Sequence, residues 1–160
     1  MAATITLPKR ILERIKREAE KQGTGLEEYV VEILVQNLDP ETRAQEYIDA
    51  AKELLREAYE ELERGNIRQA AEKTWGAAAL AIKAYASWQD KKRLASHSEL
   101  WEYAARLGEE LGDWVDDAWN QANSMHICFY EGWCKKRHVE AALKHVERLV
   151  KTIEEKMQQK

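Results

Sequence analysis

The sequence predicts an all-α protein: an up-and-down helical bundle over residues 41–160, preceded by a short strand-helix-helix segment over residues 1–40. Three observations carry that prediction. Apolar residues recur at spacings of three and four from Lys9 almost to the C-terminus, the signature of helices with one buried face. One short run, Thr4-Ile5-Thr6-Leu7, alternates polar and apolar instead, and Pro8 ends it. Gly23-Thr24-Gly25, Asp39-Pro40, Gly65-Asn66 and Gly112-Asp113 then punctuate the periodic stretches.

In chain order, Ile11, Leu12, Ile15 and Ala19 place a helix over Lys9 to Lys21. After the glycine break, Tyr29, Val30, Ile33, Leu34 and Leu38 form the apolar stripe of a second helix. Strand, helix, glycine turn and helix within the first 40 residues resemble the ribbon-helix-helix fold. A lone strand needs a partner, so this segment implies pairing with the same strand of a second chain and hence a homodimer. The resemblance implies that Thr4 and Thr6 would face the DNA major groove and that Lys9 and Arg10 would meet phosphates. The other reading is a dimer clasp without DNA, because the strand lacks the Arg, Lys or Asn side chains that make bidentate base contacts.

Asp39-Pro40 sets a boundary, since a residue before proline is pushed out of the helical region. Tyr47, Ile48, Ala51, Leu54, Leu55, Ala58 and Leu62 keep one stripe as far as Gly65-Asn66. The helix from Ile67 to about Trp88 is apolar on nearly every side through Trp75-Gly-Ala-Ala-Ala-Leu-Ala-Ile, which predicts the central helix of the bundle. Gln89 to Ser96 reads as a loop, and Ser98 as the cap of the next helix, which carries Leu100, Trp101, Ala104 and Leu107. Asp113 caps a helix buried through Val115, Ala118, Trp119, Ala122, Met125 and Phe129. The last helix, from about Arg137 to Met157, closes the bundle with a regular stripe from Val139 to Ile153. The Gly and Ala of the Leu62–Ala70 hairpin suit a tetratricopeptide repeat, but no second copy follows at a period of about 34 residues.

Bulk composition bounds the function. A hydrophobic fraction of 44% supplies a core for one domain of this length, and a net charge of -4 argues against a polyelectrolyte-driven nucleic-acid binder. No apolar run approaches the roughly 18 residues of a membrane span, and the N-terminus lacks a signal-peptide core, so a cytoplasmic setting is expected. Cys128 and Cys134 have neither zinc nor redox-motif spacing, and reduced thiols are the corresponding expectation. His126, His138, His145 and the cysteines fail as a metal site on spacing, so no metal and no cofactor is expected.

The chemistry concentrates in Gln121-Ala-Asn-Ser-Met-His-Ile-Cys-Phe-Tyr-Glu-Gly-Trp133. Asn123, His126 and Tyr130 stand three and four apart, on one side of a helix. His97 in the preceding hairpin, and Lys83 and Arg137 as countercharges for a ligand phosphate, complete the candidate binding set. Each has a structural alternative: His126 as a satisfied core histidine, His97 as part of a helix cap, Tyr130 and the tryptophans as packing, and the cations as solvated surface.

Arg64 to Lys83, Ser96-His-Ser-Glu-Leu-Trp101 and Met125 to Trp133 together resemble the archaeal PaREP family, which belongs to the HEPN-like helical bundles. The resemblance implies a HEPN-like bundle that binds nucleotide or RNA, in some members as a metal-independent ribonuclease of toxin-antitoxin or defence systems. In those ribonucleases an arginine precedes the catalytic histidine with four to six residues between them. Here His126 takes the histidine position, and Gln121, Asn120 and Trp119 occupy the three allowed arginine positions. A histidine can move the proton of a ribose 2′-hydroxyl, but the guanidinium is what stabilises charge on the phosphate. Weak or absent ribonuclease activity is therefore expected.

Overall fold

Periodic apolar stripes and a chain cut by Gly and Asp-Pro turns give seven helices in the computed structural model, which describes residues 3–159. They are α1 (Lys9–Lys21), α2 (Leu26–Val35), α3 (Pro40–Glu63), α4 (Ile67–Asp90), α5 (His97–Leu111), α6 (Trp114–Glu131) and α7 (Lys136–Gln158).

Two helix starts follow from side-chain chemistry. Asp39 caps α3 by accepting from the Thr42 backbone N–H at 3.1 Å, with Pro40 in the first helical position where its missing N–H costs nothing. Ser96, rather than the expected Ser98, caps α5: its hydroxyl accepts from the Glu99 N–H at 3.1 Å, and the Glu99 carboxylate accepts from the Ser96 N–H at 3.2 Å. Glu99 stands three residues after Ser96, so only that serine can complete the reciprocal pair. His97 thereby becomes the first residue of α5. Asp113 precedes α6 without a side-chain capping bond.

α4 is the central helix, as its all-round apolar character predicts. Every residue from Thr74 to Ser87 is buried, and α4 packs against α2, α3, α5, α6 and α7. Small residues permit this: a Cβ added at Gly76 would stand 3.0 Å from Leu54 Cδ1 of α3. α3, α5, α6 and α7 bring Tyr47, Ile48, Leu107, Val115, Leu149 and Ile153 into the same core.

The N-terminal segment corrects the sequence reading in two ways. Among the described residues there is no strand; Thr4 to Leu7 carry no regular secondary structure and are exposed, because nothing in the chain offers them a ladder partner. α2 also turns much of its expected stripe outward, although Leu38, with Val31, packs against the core. It buries Glu28, Glu32 and Val35, while Val30, Ile33 and Leu34 face outward, Leu34 at 70% exposure. The cause is a buried charge network: Lys83 of α4 sits 3.2 Å from Glu28 and 3.1 Å from Glu32. Glu32 further accepts from the Tyr47 hydroxyl and pairs with Arg93 at 3.3 Å. Beside this network the Arg43 Nε donates to Ser87 Oγ at 2.9 Å.

The cysteines also differ from expectation. Cys128 and Cys134 are disulfide-bonded, with Cα atoms 5.7 Å apart. Gly132 ends α6 in the left-handed region at φ 73°, and that reversal returns the chain so that residue 134 meets residue 128. Spacing along the sequence carries no information about such a turn. No helix among the described residues is long and apolar enough to cross a membrane.

Candidate functional site

α4 and α6 lie side by side, and their facing positions build the site. Glu72 and Trp75 come from one turn of α4, and His126 and Tyr130 from successive turns of α6. The His126 ring stacks on Trp75 with centroids 4.9 Å apart and meets Tyr130 edge-on at 5.3 Å. Its Nδ1 lies 3.1 Å from Glu72 Oε2, which fixes the ring's orientation in the way a carboxylate fixes a catalytic or ligating imidazole. The His126 side chain is only 13% exposed, so this is a largely buried imidazole held on two sides by aromatic rings.

His97 joins this layer from the start of α5, 5.7 Å from Trp75 and 6.4 Å from His126 between ring centroids. The Trp101 indole N–H donates to His97 Nε2 at 3.1 Å. That nitrogen must therefore be unprotonated, which puts the proton of the neutral ring on Nδ1. Burial, reinforced by His126, holds the His97 pKa below the ordinary histidine value, consistent with a neutral acceptor.

Glu72 is the residue the sequence reading missed. Burial raises its pKa above the usual carboxylate range, the His126 hydrogen bond works against that rise, and Glu28 and Glu27 add to it. Its Oε1 is buried without a hydrogen-bond partner among the described residues. A Cβ added at Gly25 would lie 2.6 Å from that oxygen, so the glycine before α2 lets the carboxylate come close. The available signal was a glutamate three residues before Trp75, at the entrance of an otherwise apolar stretch.

The remaining candidates divide. Tyr130 is 53% exposed, and Asn123, one turn before His126, is half-buried. Lys83 is 4% exposed and committed to Glu28 and Glu32, so it does not serve as a ligand countercharge. Burial pulls its pKa down, but those two carboxylates outweigh burial and leave it raised and charged. Arg137 is exposed in the first turn of α7, on the far side of the Gly132 reversal. Thr4, Thr6, Lys9 and Arg10 are all exposed, and Lys9 has only a surface pair with Glu13 at 4.0 Å.

Trp119, Asn120 and Gln121, in the two turns of α6 ahead of His126, supply no guanidinium. Arg68, at the start of α4, donates through Nε and Nη2 to the Phe129 carbonyl at 2.8 and 2.6 Å, and through Nη2 to the Tyr130 carbonyl at 3.2 Å. Its guanidinium thus satisfies open carbonyls at the end of α6. His138, for its part, caps α7 by accepting the Lys135 N–H at 2.8 Å on Nδ1. Among the described residues no group of three or more His, Cys, Asp or Glu is arranged to hold a metal ion.

Fold and site define a class: an all-helical bundle with a histidine and aromatic layer between its central helix and α6, oriented by a carboxylate. The chain belongs to the archaeal PaREP1/PaREP8 family, whose model matches residues 46–150. No curated protein and no solved structure matches it. The matched span runs from α3 into α7, so it includes Glu72, His97 and His126 and leaves α1 and α2 outside.

Proposed function

We propose that this chain is a HEPN-like nucleotide- or RNA-binding protein, working as a homodimer in the cytoplasm, with little or no ribonuclease activity. The observation that carries the reading is the His126 layer: an imidazole oriented by Glu72, stacked on Trp75, flanked by the exposed Tyr130, and lacking a guanidinium. Exposed Tyr130 gives a base a stacking surface, and Asn123 adds an amide on the same side of α6. The dyad can hold or move a proton, but phosphate charge in the transition state would go unmatched, since Arg68 and Lys83 are both spent elsewhere. A toxin-antitoxin or defence setting is the role that the HEPN-like resemblance implies.

The test is incubation with labelled single-stranded RNA in EDTA, beside His126→Ala, with binding followed by tryptophan fluorescence. Binding without appreciable cleavage, weakened in the variant, is the expected result. Robust metal-independent cleavage that disappears in His126→Ala would overturn the non-catalytic reading.

The outward apolar face of α2 favours a second reading, a DNA-binding regulator. A second copy covering Val30, Ile33 and Leu34 would supply the strand partner that Thr4 to Leu7 lack, presenting Thr4 and Thr6 with Lys9 and Arg10 beside them. Salt-sensitive binding of duplex DNA that is lost in a Lys9→Ala, Arg10→Ala double variant would select it.

A further inference from the structure

The connection from α6 to α7 is held by few bonds. Gly132, Trp133 and Lys135 are exposed, and Cys134 is the one buried residue between Glu131 and Lys136. Its sulfur is bonded to Cys128 of α6, whose carbonyl oxygen accepts from the Gly132 N–H at 2.6 Å. The Cys134 N–H adds a bond to Cys128 Sγ at 3.2 Å. Both cysteines lie in a small apolar cluster with Met125, Val139, Ala142 and Leu143, separate from the main core. A change at the disulfide therefore acts on this end of the bundle and leaves the packing of α4 with α5 alone.

The last turn of α6 also shapes the candidate site. Phe129 and Tyr130 directly follow Cys128 and line a cavity of ≈ 390 Å³ between α1, the start of α2, α4 and the end of α6. Tyr130 meets His126 edge-on, and Arg68 of α4 holds the Phe129 and Tyr130 carbonyls. A helix end with open carbonyls frays unless it is tied. Here one tie is a guanidinium at the surface, which opens and closes freely, and the other is covalent. With a sequence separation of only 6, the disulfide closes a short loop, so its effect on the whole chain is small and its effect on the turn is large.

We infer that the Cys128–Cys134 bond is a redox switch on the end of α6: oxidised, it holds Tyr130 against His126; reduced, it frees residues 129–135 while the bundle stays folded. The reductant is a dithiol. Its thiolate attacks Cys134 Sγ, the S–S bond breaks, and Cys128 leaves as a thiolate that takes up a proton. The second sulfur of the dithiol then displaces Cys134 from the mixed disulfide, and Cys134 is released as a thiol. Two electrons pass to the protein, and the dithiol becomes a cyclic disulfide. Cys128 is fully buried whereas Cys134 keeps 8% exposure, so attack at Cys134 requires the connection to open and not α6. The inference goes beyond the RNA-binding reading and does not depend on it.

The full chain, oxidised or reduced with dithiothreitol under native conditions, tests it by maleimide labelling of thiols and by amide hydrogen exchange. Reduction should run at least about tenfold faster than global unfolding of the oxidised chain. Exchange over residues 129–135 should be about tenfold or more faster in the reduced chain, unchanged over residues 74–87 of α4, and slow again after reoxidation. Cys134→Ser should exchange rapidly over residues 129–135 with and without dithiothreitol; should it fail to fold, the two states of the parent decide alone. Reduction no faster than global unfolding, equal exchange in the two states, loss of the whole bundle on reduction, or slow exchange in Cys134→Ser would each overturn the inference. None of these results touches the RNA assay with His126→Ala.

Discussion

α2 and α4 are both rich in apolar residues, and they face opposite ways. α4 buries its apolar residues on all sides among five other helices. α2 buries two glutamates beside Val35 and shows solvent Val30, Ile33 and Leu34. In α4 area decides the orientation, because any rotation leaves apolar surface covered. In α2 charge pairing decides: Lys83 is embedded in α4, two carboxylates spaced one turn apart on α2 reach it, and Arg93 and the Tyr47 hydroxyl hold Glu32 as well. An unpaired buried ammonium is worse than a row of exposed aliphatic side chains, so the glutamates turn inward. Burial in this molecule therefore follows hydrophobicity where every neighbour is apolar, and follows charge pairing where a single buried ion has been placed.

Removal of the Lys83 charge should have the largest effect on α2. Lys83→Met keeps the stem volume and deletes the charge, leaving Glu28 without its ammonium partner and Glu32 with Arg93 and the Tyr47 hydroxyl. Losing one partner of a buried pair costs about 3–5 kcal/mol, and chemical denaturation should register a loss of that size. Any structure retained should release α2 first, seen as faster amide exchange over Leu26–Val35 than in α4. A stability loss under 1 kcal/mol, about that of a surface pair, would mean that Lys83 does not orient α2.

How much was legible in the sequence follows the same division. The number of bundle helices, the central place of α4 and the stripes of α3, α6 and α7 were readable, because helical periodicity encodes a buried face directly. The orientation of α2 was not: Glu28 and Glu32 stand opposite an apolar stripe and read as a solvated face until Lys83 is found beneath them. The short segment from Thr4 to Leu7 alternates as a strand would, but alternation cannot supply a partner, and none lies among the described residues. At the candidate site, the shared side of α6 that brings His126 beside Tyr130 was legible from their spacing. Glu72, which orients His126, comes from another helix 54 residues earlier, and pairing across that separation leaves no local pattern. Cys128 and Cys134 were misread because Gly132 folds the chain back between them.

A smaller effect separates the paired carboxylates of α2 from Glu72, whose burial is only partly compensated. Its folded pKa is raised, so between the unfolded value near 4.5 and the raised value the folded state holds more protons than the unfolded one. Stability must therefore fall as pH rises through that window, and the penalty is present in full above it. Glu72→Gln removes the titration. Below pH of about 4 the variant and the parent should each lack this penalty, and the difference between them should shift in favour of the variant as pH rises toward neutrality. Denaturation midpoints of the two proteins across that range check it; parallel curves would show that His126 compensates Glu72 completely.

The smallest expected effect tests the outward face of α2. Leu34 is 70% exposed and buries little within its own chain, so Leu34→Ala should change the stability of an isolated chain by no more than about 0.5 kcal/mol. If a second copy covers Val30, Ile33 and Leu34, the side chain is a core residue of the pair, and its removal should cost about 2–5 kcal/mol, as for other buried leucines. The two cases separate by concentration: a dimer-buried leucine makes the apparent stability, and the loss in the variant, depend on protein concentration, while a solvent-exposed one does not. Denaturation at two concentrations about a hundredfold apart, with sedimentation on the same samples, reads both quantities. A monomer at both concentrations, with parent and variant equally stable, would leave α2 a helix oriented by its contacts with its own chain, its outward apolar face serving no copy of the chain. A concentration-dependent loss would show that α2 uses both faces, charge pairing to hold itself on α4 and aliphatic contact to hold a second chain.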